Sequence, residues 1–280
     1  MRDLIRDASE RRICAVVTWC RSSLRRTPAD RPRDEQLKAL LPALARQMPR
    51  FGFRRITDEV RDVLGSIGKN TVQRLWQLLH LQVKPHQRKR AGRKPRAVLL
   101  GLRALHLNHV WCLDFMKDWT LGGRSFRMLS VVDEYTRECL ALVAAWSFTA
   151  ADVVALLEWL GHQHGSPVHL RSDNGPEFIA HEVARWADAL GVRLVRSEPA
   201  SPWQNPFSES FHSRARDEFT EGIVFGSLAE AEVLCEAFRK WYNTARRHSS
   251  LGRQTPAAFA AKVRTSGPVF GQPGLVGAAA

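Results

Sequence analysis

A chain of 280 residues, 44% hydrophobic and 25% charged, reads as a folded protein holding a small domain followed by one of roughly 150 residues. It has no run of about 20 apolar residues, and its first dozen residues are charged, which excludes a membrane span and a secretory leader and points to a bacterial cytoplasm and its nucleoid. The cysteines Cys14, Cys20, Cys112, Cys139 and Cys235 are odd in number and form no C-x-x-C pair, so neither a disulfide framework nor a structural zinc site is expected.

The net charge of +14 is unevenly spread. Residues 1–105 hold 25 Lys and Arg against 9 Asp and Glu, whereas the remaining 175 residues hold 17 against 19. A basic front half suits neutralisation of phosphates, and a near-neutral back half leaves its carboxylates for other work.

In chain order, residues 1–33 read as an N-terminal helical segment. Residues 34–83 read as a helix-turn-helix region. Its first helix, Asp34 to Gln47, has Leu37, Leu40, Leu41, Leu44 and Ala45 on one face. A second helix, Ile56 to Leu64, stops at Gly65, and a third starts near Asn70 as N-cap with Val72, Leu75, Trp76 and Leu79 inward. Lys69, Gln73, Arg74 and Gln77 lie on its polar side, where a recognition helix faces DNA.

Residues 84–106 form a basic linker, in which Arg88, Lys89, Arg90, Arg93 and Lys94 suit phosphate contacts. Three strands follow from Val110 in W-C-L-D-F-M, R-S-F-R-M-L-S-V-V-D and E-C-L-A-L-V-A-A-W, with a hairpin at Gly122 and Gly123. Helices at Ala150 to His162, Ile179 to Leu190, Pro206 to Thr220 and Leu228 to Thr244 alternate with strands at Val168 to Arg171 and Val192 to Arg196. The fold class is α/β: a mixed sheet flanked by helices over residues 107–265, preceded by the small all-α helix-turn-helix region, with 266–280 as a flexible tail.

Three acids are candidates for chemistry. Asp114 interrupts an apolar strand, Asp173 directly follows a strand, and Glu209 lies early on a helix that Asn205 caps and Pro206 begins. Each also has a plain structural reading, Asp-Asn-Gly for instance being a good turn. If the three converge, their oxygens suit Mg²⁺ or Mn²⁺, as two ions serving an in-line phosphodiester displacement.

The strings W-C-L-D-F, S-V-V-D-E-Y-T-R-E, R-S-D-N-G-P-E-F and S-P-W-Q-N-P-F-S-E-S-F-H, with 35 residues between Asp173 and Glu209, resemble those of insertion sequence three family transposases, specifically the second-frame product. W-Y-N-T-A-R-R-H-S-S-L-G-R-Q-T-P-A-A-F and the upstream R-F-G-F-R-R-I extend the resemblance over nearly the whole chain. That family is related to retroviral integrases. The resemblance implies a ribonuclease-H-like core, Asp114, Asp173 and Glu209 as catalytic metal ligands, and DNA strand transfer as the reaction.

It also implies that Asn174 and Gly175 shape the Asp173 loop and that Gln204, Asn205, His212 and Arg216 lie near the DNA or the metal-bound phosphate. Expected partners are the element's terminal repeats and target DNA, further copies of the chain on DNA, and a first-frame product supplying an upstream DNA-binding segment. Pro206 and His212 depart from the family pattern, which usually has Gly and Asn there. The competing readings are a nuclease on the same fold, an inactive or truncated fragment that only binds DNA, and a basic RNA-associated protein.

Overall fold

The computed structural model describes residues 10–18, 20, 22, 32–82, 102–196 and 205–266. The chain divides into two compact units, residues 1–86 and 87–280. Most of the basic linker, Gln204 and the tail from residue 267 lie outside the described residues. Among the described residues no helix is long and apolar enough to cross a membrane.

The first unit contains α1 (Glu10–Val17), α2 (Pro32–Gln47), α3 (Phe53–Leu64) and α4 (Lys69–Leu78). Leu37, Leu41 and Leu44 of α2 join Ile56, Val60, Val72, Leu75 and Trp76 among the buried residues, as their helical spacing requires. Gly65 ends α3 with φ of 75°, a conformation that favours glycine, and the Arg61 side chain donates to the Ile67 carbonyl across the turn at 3.1 Å. The expected cap at Asn70 is corrected: the N-cap is Gly68, two residues earlier, and Asn70 sits in the first turn of α4.

The second unit is built on one five-stranded sheet. Its strands are β1 (Val110–Trp119), β2 (Ser125–Asp133), β3 (Cys139–Ala145), β4 (His169–Ser172) and β5 (Arg193–Arg196), in the order β3-β2-β1-β4-β5. The first three run antiparallel as a meander, while β4 and β5 run parallel to β1. The Gly122–Gly123 turn between β1 and β2 is as expected, with φ of 77° at Gly123.

Helices cover both faces because both faces are apolar. On one side Trp111, Leu113, Leu129 and Val131 pack against α5 (Ala150–His164) and α7 (His181–Leu190). On the other, Cys112, Met116, Phe126 and Met128 pack against α8 (Pro206–Ala215) and α9 (Leu228–Thr244). A Thr149/Asp152 capping box starts α5, and Ser227 caps α9.

Three differences from the sequence reading have local causes. The helix expected from Ile179 starts at His181 as α7, because Ala180 is extended at φ −61° and ψ 150°, and Ile179 instead ends a separate short helix, α6 (Pro176–Ile179). The helix expected through Thr220 widens after Ala215 into a π-turn, Arg216–Thr220. An unexpected last helix, α10 (Pro256–Ser266), follows Thr255, whose hydroxyl accepts from Ala258 N at 3.3 Å.

Candidate active site

Alternation along β1 decides which way its acid points. Cys112 and Met116 face α8 and α9, Trp111 and Leu113 face α5 and α7, so Asp114 points toward α8. Its side chain is 23% exposed, and Oδ1 accepts from Phe115 N at 2.8 Å. Burial raises the Asp114 carboxyl from its ordinary 3.8 to about 6; the Phe115 hydrogen bond opposes this, while the charges of Asp173 and Glu209 add to it and Arg216 counters.

The other two acids reach Asp114 from different elements. Asp173 follows the last residue of β4, exposed, and its Oδ1 accepts from Gly175 N at 3.0 Å. Glu209 is exposed on the first turn of α8, whose first residue is Pro206. The structure thus brings the three candidate acids into one electrostatic neighbourhood. Among the described residues no group of three or more His, Cys, Asp or Glu side chains is drawn together closely enough to hold a metal ion, so the three acids are linked here by the effect of their charges on Asp114.

His212 and Asn205 are both buried, and His212 lies against Asp114. His212 is buried on α8, with Nε2 2.8 Å from Ser130 Oγ and Nδ1 3.3 Å from Asp114 Oδ2. Burial, helped by the Arg216 charge, pushes its pKa down to about 3, so the ring is neutral. The Ser130–His212–Asp114 order mimics a serine-hydrolase triad, but Ser130 is 0% exposed and no acyl group reaches its hydroxyl. Asn205 is also buried; its side chain makes no cap bond and instead donates to Leu113 O at 3.4 Å, tying the start of α8 to β1.

Arg216 is exposed, and its charge lowers the pKa of both Asp114 and His212, which places it beside the acids. Asn174 is exposed in the Asp173 loop. Gly175 is fitted between acids: a Cβ there would stand 3.1 Å from Asp173 Oδ1 and 3.2 Å from Glu177 Oε2. In the first unit Lys69 and Gln77 are exposed and Gln73 partly so, whereas the Arg74 guanidinium is paired with Asp34 of α2. Sequence reasoning missed Ser130, Arg127 and Glu177; Glu177 alone left a signal, a charge set among residues that fold onto the sheet.

An HTH-like domain model matches residues 32–90, and integrase core domain models match residues 104–202 and 190–256. The "Insertion element IS476 uncharacterized 39.2 kDa protein" of Xanthomonas euvesicatoria is 35% identical, over 92% of this chain and 74% of its own length. The corresponding 31.7 kDa protein of insertion element IS407 from Burkholderia multivorans is 34% identical over 92% of both chains. A transposase of insertion sequence element IS904 from Lactococcus lactis is 25% identical over 75% of this chain and 87% of its own.

A chain of a simian T-cell lymphotropic virus intasome superposes with TM-score 0.50 and 14% identity over 76% of this chain and 75% of that one, the same ribonuclease-H-like fold. The chain belongs to the insertion-element transposase family, with an HTH-like domain followed by an integrase core.

Proposed function

We propose that the second unit cuts and joins DNA strands at insertion-element ends, with Asp114, Asp173 and Glu209 as the acids that would hold one or two Mg²⁺ or Mn²⁺ ions. The observation that supports this most is the raised Asp114 carboxyl, pressed by burial and then by both other acids. An all-oxygen donor set fits these hard ions. When bound, such ions activate the attacking oxygen and stabilise the leaving one in phosphodiester displacement.

The chain's own residues orient that chemistry. Phe115 N and the neutral His212 ring fix the Asp114 carboxyl from two sides, and Asn205 and Pro206 set the start of the helix bearing Glu209. Arg216 offers a cation to a strand phosphate beside the acids. Lys69, Gln73 and Gln77 of α4 face DNA in this reading, joined by the basic stretch that includes Arg88, Lys89, Arg90, Arg93 and Lys94. Joining two element ends requires at least two such centres, so the working form is an oligomer on DNA.

The test is a labelled duplex carrying the terminal repeat, incubated with the full chain and Mg²⁺ or Mn²⁺. Metal-dependent cleaved and joined products support the proposal; cleavage without joining makes the protein a nuclease, and binding without either overturns catalysis by this chain.

Two further outcomes follow from the geometry. Gly175→Ala keeps an ordinary backbone angle, φ −58°, but its methyl presses on Asp173 and Glu177. Cleavage is expected to fall about tenfold or more, a barrier change of about 1.4 kcal/mol, with the melting temperature nearly unchanged. A wild-type rate contradicts the fitted loop.

Asp114→Asn is expected to stabilise the metal-free chain. The folded carboxyl titrates at about 6 against an ordinary 3.8, so the folded state keeps a proton that the unfolded chain loses between those values. The associated stability is complete below about pH 4 and is lost as pH rises through about 6, leaving a cost of about 2–3 kcal/mol at neutral pH. Calorimetry in chelator at pH 8 therefore shows a higher melting temperature for the variant, and at pH 4 no gain.

A further inference from the structure

Asp173 stands on an exposed loop after a four-residue strand, yet its distance from Asp114 is what a shared phosphate-processing centre depends on. What sets that distance lies on the opposite face of the sheet. Phe115, the neighbour of Asp114 on β1, points away from the acids toward the cluster that contains Phe178. The Phe178 ring stacks on it with centroids 4.9 Å apart and planes 14° apart.

Arg127 of β2 approaches the same ring, its guanidinium carbon 3.8 Å from the centroid. The guanidinium also forms an ion pair with Glu177, the residue before Phe178 on α6. Burial alone would raise the Glu177 carboxyl, but the Arg127 hydrogen bond and charge bring it below its ordinary value. Phe178 N donates to Gly175 O at 2.9 Å and Gly175 N to Asp173 Oδ1 at 3.0 Å, so the chain from Glu177 back to Asp173 has little slack.

We infer that Arg127 and Glu177 are positioning residues: with Phe115 and Phe178 they clamp the Asp173 loop to the strand that bears Asp114 and so set the spacing of the two acids. The choice of an ion pair is informative. Glu177 is only 12% exposed and Arg127 32%, and two apolar side chains would fill that space without desolvating charges. A salt bridge from a guanidinium already laid on Phe115 fixes direction, which apolar packing leaves free. Glu177 Oε2 is buried with no hydrogen-bond partner, so Arg127 is the partner that holds this carboxylate in place.

The inference rests on the reading of Asp173 as a metal-holding acid, and the test separates the two. In the full chain, Arg127→Gln, Glu177→Gln and the double variant are compared by Mn²⁺ calorimetry without DNA, by cleavage against Mg²⁺ concentration, and by amide hydrogen exchange. Each single variant is expected to weaken Mn²⁺ binding about tenfold or more, in the range for partners that orient metal ligands. Half-maximal cleavage shifts to higher Mg²⁺, exchange quickens at residues 174–179 but not in α5, and the melting temperature stays close to wild type for Glu177→Gln and the double variant, while Arg127→Gln, which leaves the Glu177 carboxylate without its guanidinium, melts lower.

The double variant loses no more than either single one, because both remove the same contact. Losses that multiply, or unchanged exchange at 174–179, overturn the clamp. Asp173→Asn in the same calorimetry reports on the acid separately: if it binds Mn²⁺ like wild type, the metal reading fails, while the exchange data still decide whether Arg127 and Glu177 hold the loop.

Discussion

Asp114→Asn, Asp173→Asn and Glu209→Gln are each expected to remove cleavage and joining while leaving retention on duplex DNA nearly unchanged. If, as proposed, these carboxylates hold the ions, several kcal/mol of transition-state stabilisation would go with them, so the expected loss is about a thousandfold or more in rate. In the proposed division of labour, duplex binding falls to the HTH-like domain at residues 32–90 and the Lys and Arg excess of the front half. Gel mobility shift and strand transfer on the same preparations make the comparison. If the three variants lose DNA retention together with activity, the acids and the DNA-holding surface are not separable, and the division between the units falls.

The same division explains how much the sequence disclosed. The acids stand out as candidates because each breaks a local pattern: a charge inside an apolar strand, an acid directly after a strand, and an acid just beyond an Asn-Pro helix start. Helix and strand periodicity located the sheet and most helices for the same reason, since burial of one face or both writes itself into residue order. Asn205 was misread because its identity allows capping, while its direction depends on Leu113, which is distant in sequence.

The partners of His212 were hidden in the same way. Sequence spacing placed it one turn after Glu209, but only the packing of α8 on β1 and β2 shows that it turns inward to Ser130 and Asp114. The Arg127–Glu177 pair joins residues 50 apart, and no periodicity relates them. The break at Ala180 was hidden because neither Ile179 nor Ala180 is a helix breaker by identity: Ile179 is 48% exposed and Ala180 is extended, so backbone conformation and not burial sets the boundary.

Arg246→Ala is expected to destabilise the second unit strongly, by about 3–5 kcal/mol, because it leaves a buried carboxylate without its guanidinium. Arg246 and Glu218 are 3% and 2% exposed and meet through two bonds, Nε to Oε2 at 2.5 Å and Nη2 to Oε1 at 3.0 Å. The Arg246 guanidinium also lies 3.0 Å from His248 Nε2 and near the Tyr242 ring. Replacing both partners by apolar residues, Arg246→Met with Glu218→Leu, should recover most of the stability, since the isolated charge and not the lost attraction dominates the cost. Calorimetry of the full chain checks both; a loss under about 1 kcal/mol for Arg246→Ala would place this pair with exposed ones. The consequence for catalysis is separate from stability. Glu218 lies in the π-turn that ends α8, and Arg246 follows the end of α9, so the pair anchors the helix bearing Glu209. Cleavage by the doubly apolar variant, assayed well below its melting temperature, should therefore stay below wild type: apolar packing restores the fold, but it does not restore the fixed direction that a two-bond ion pair gives to α8.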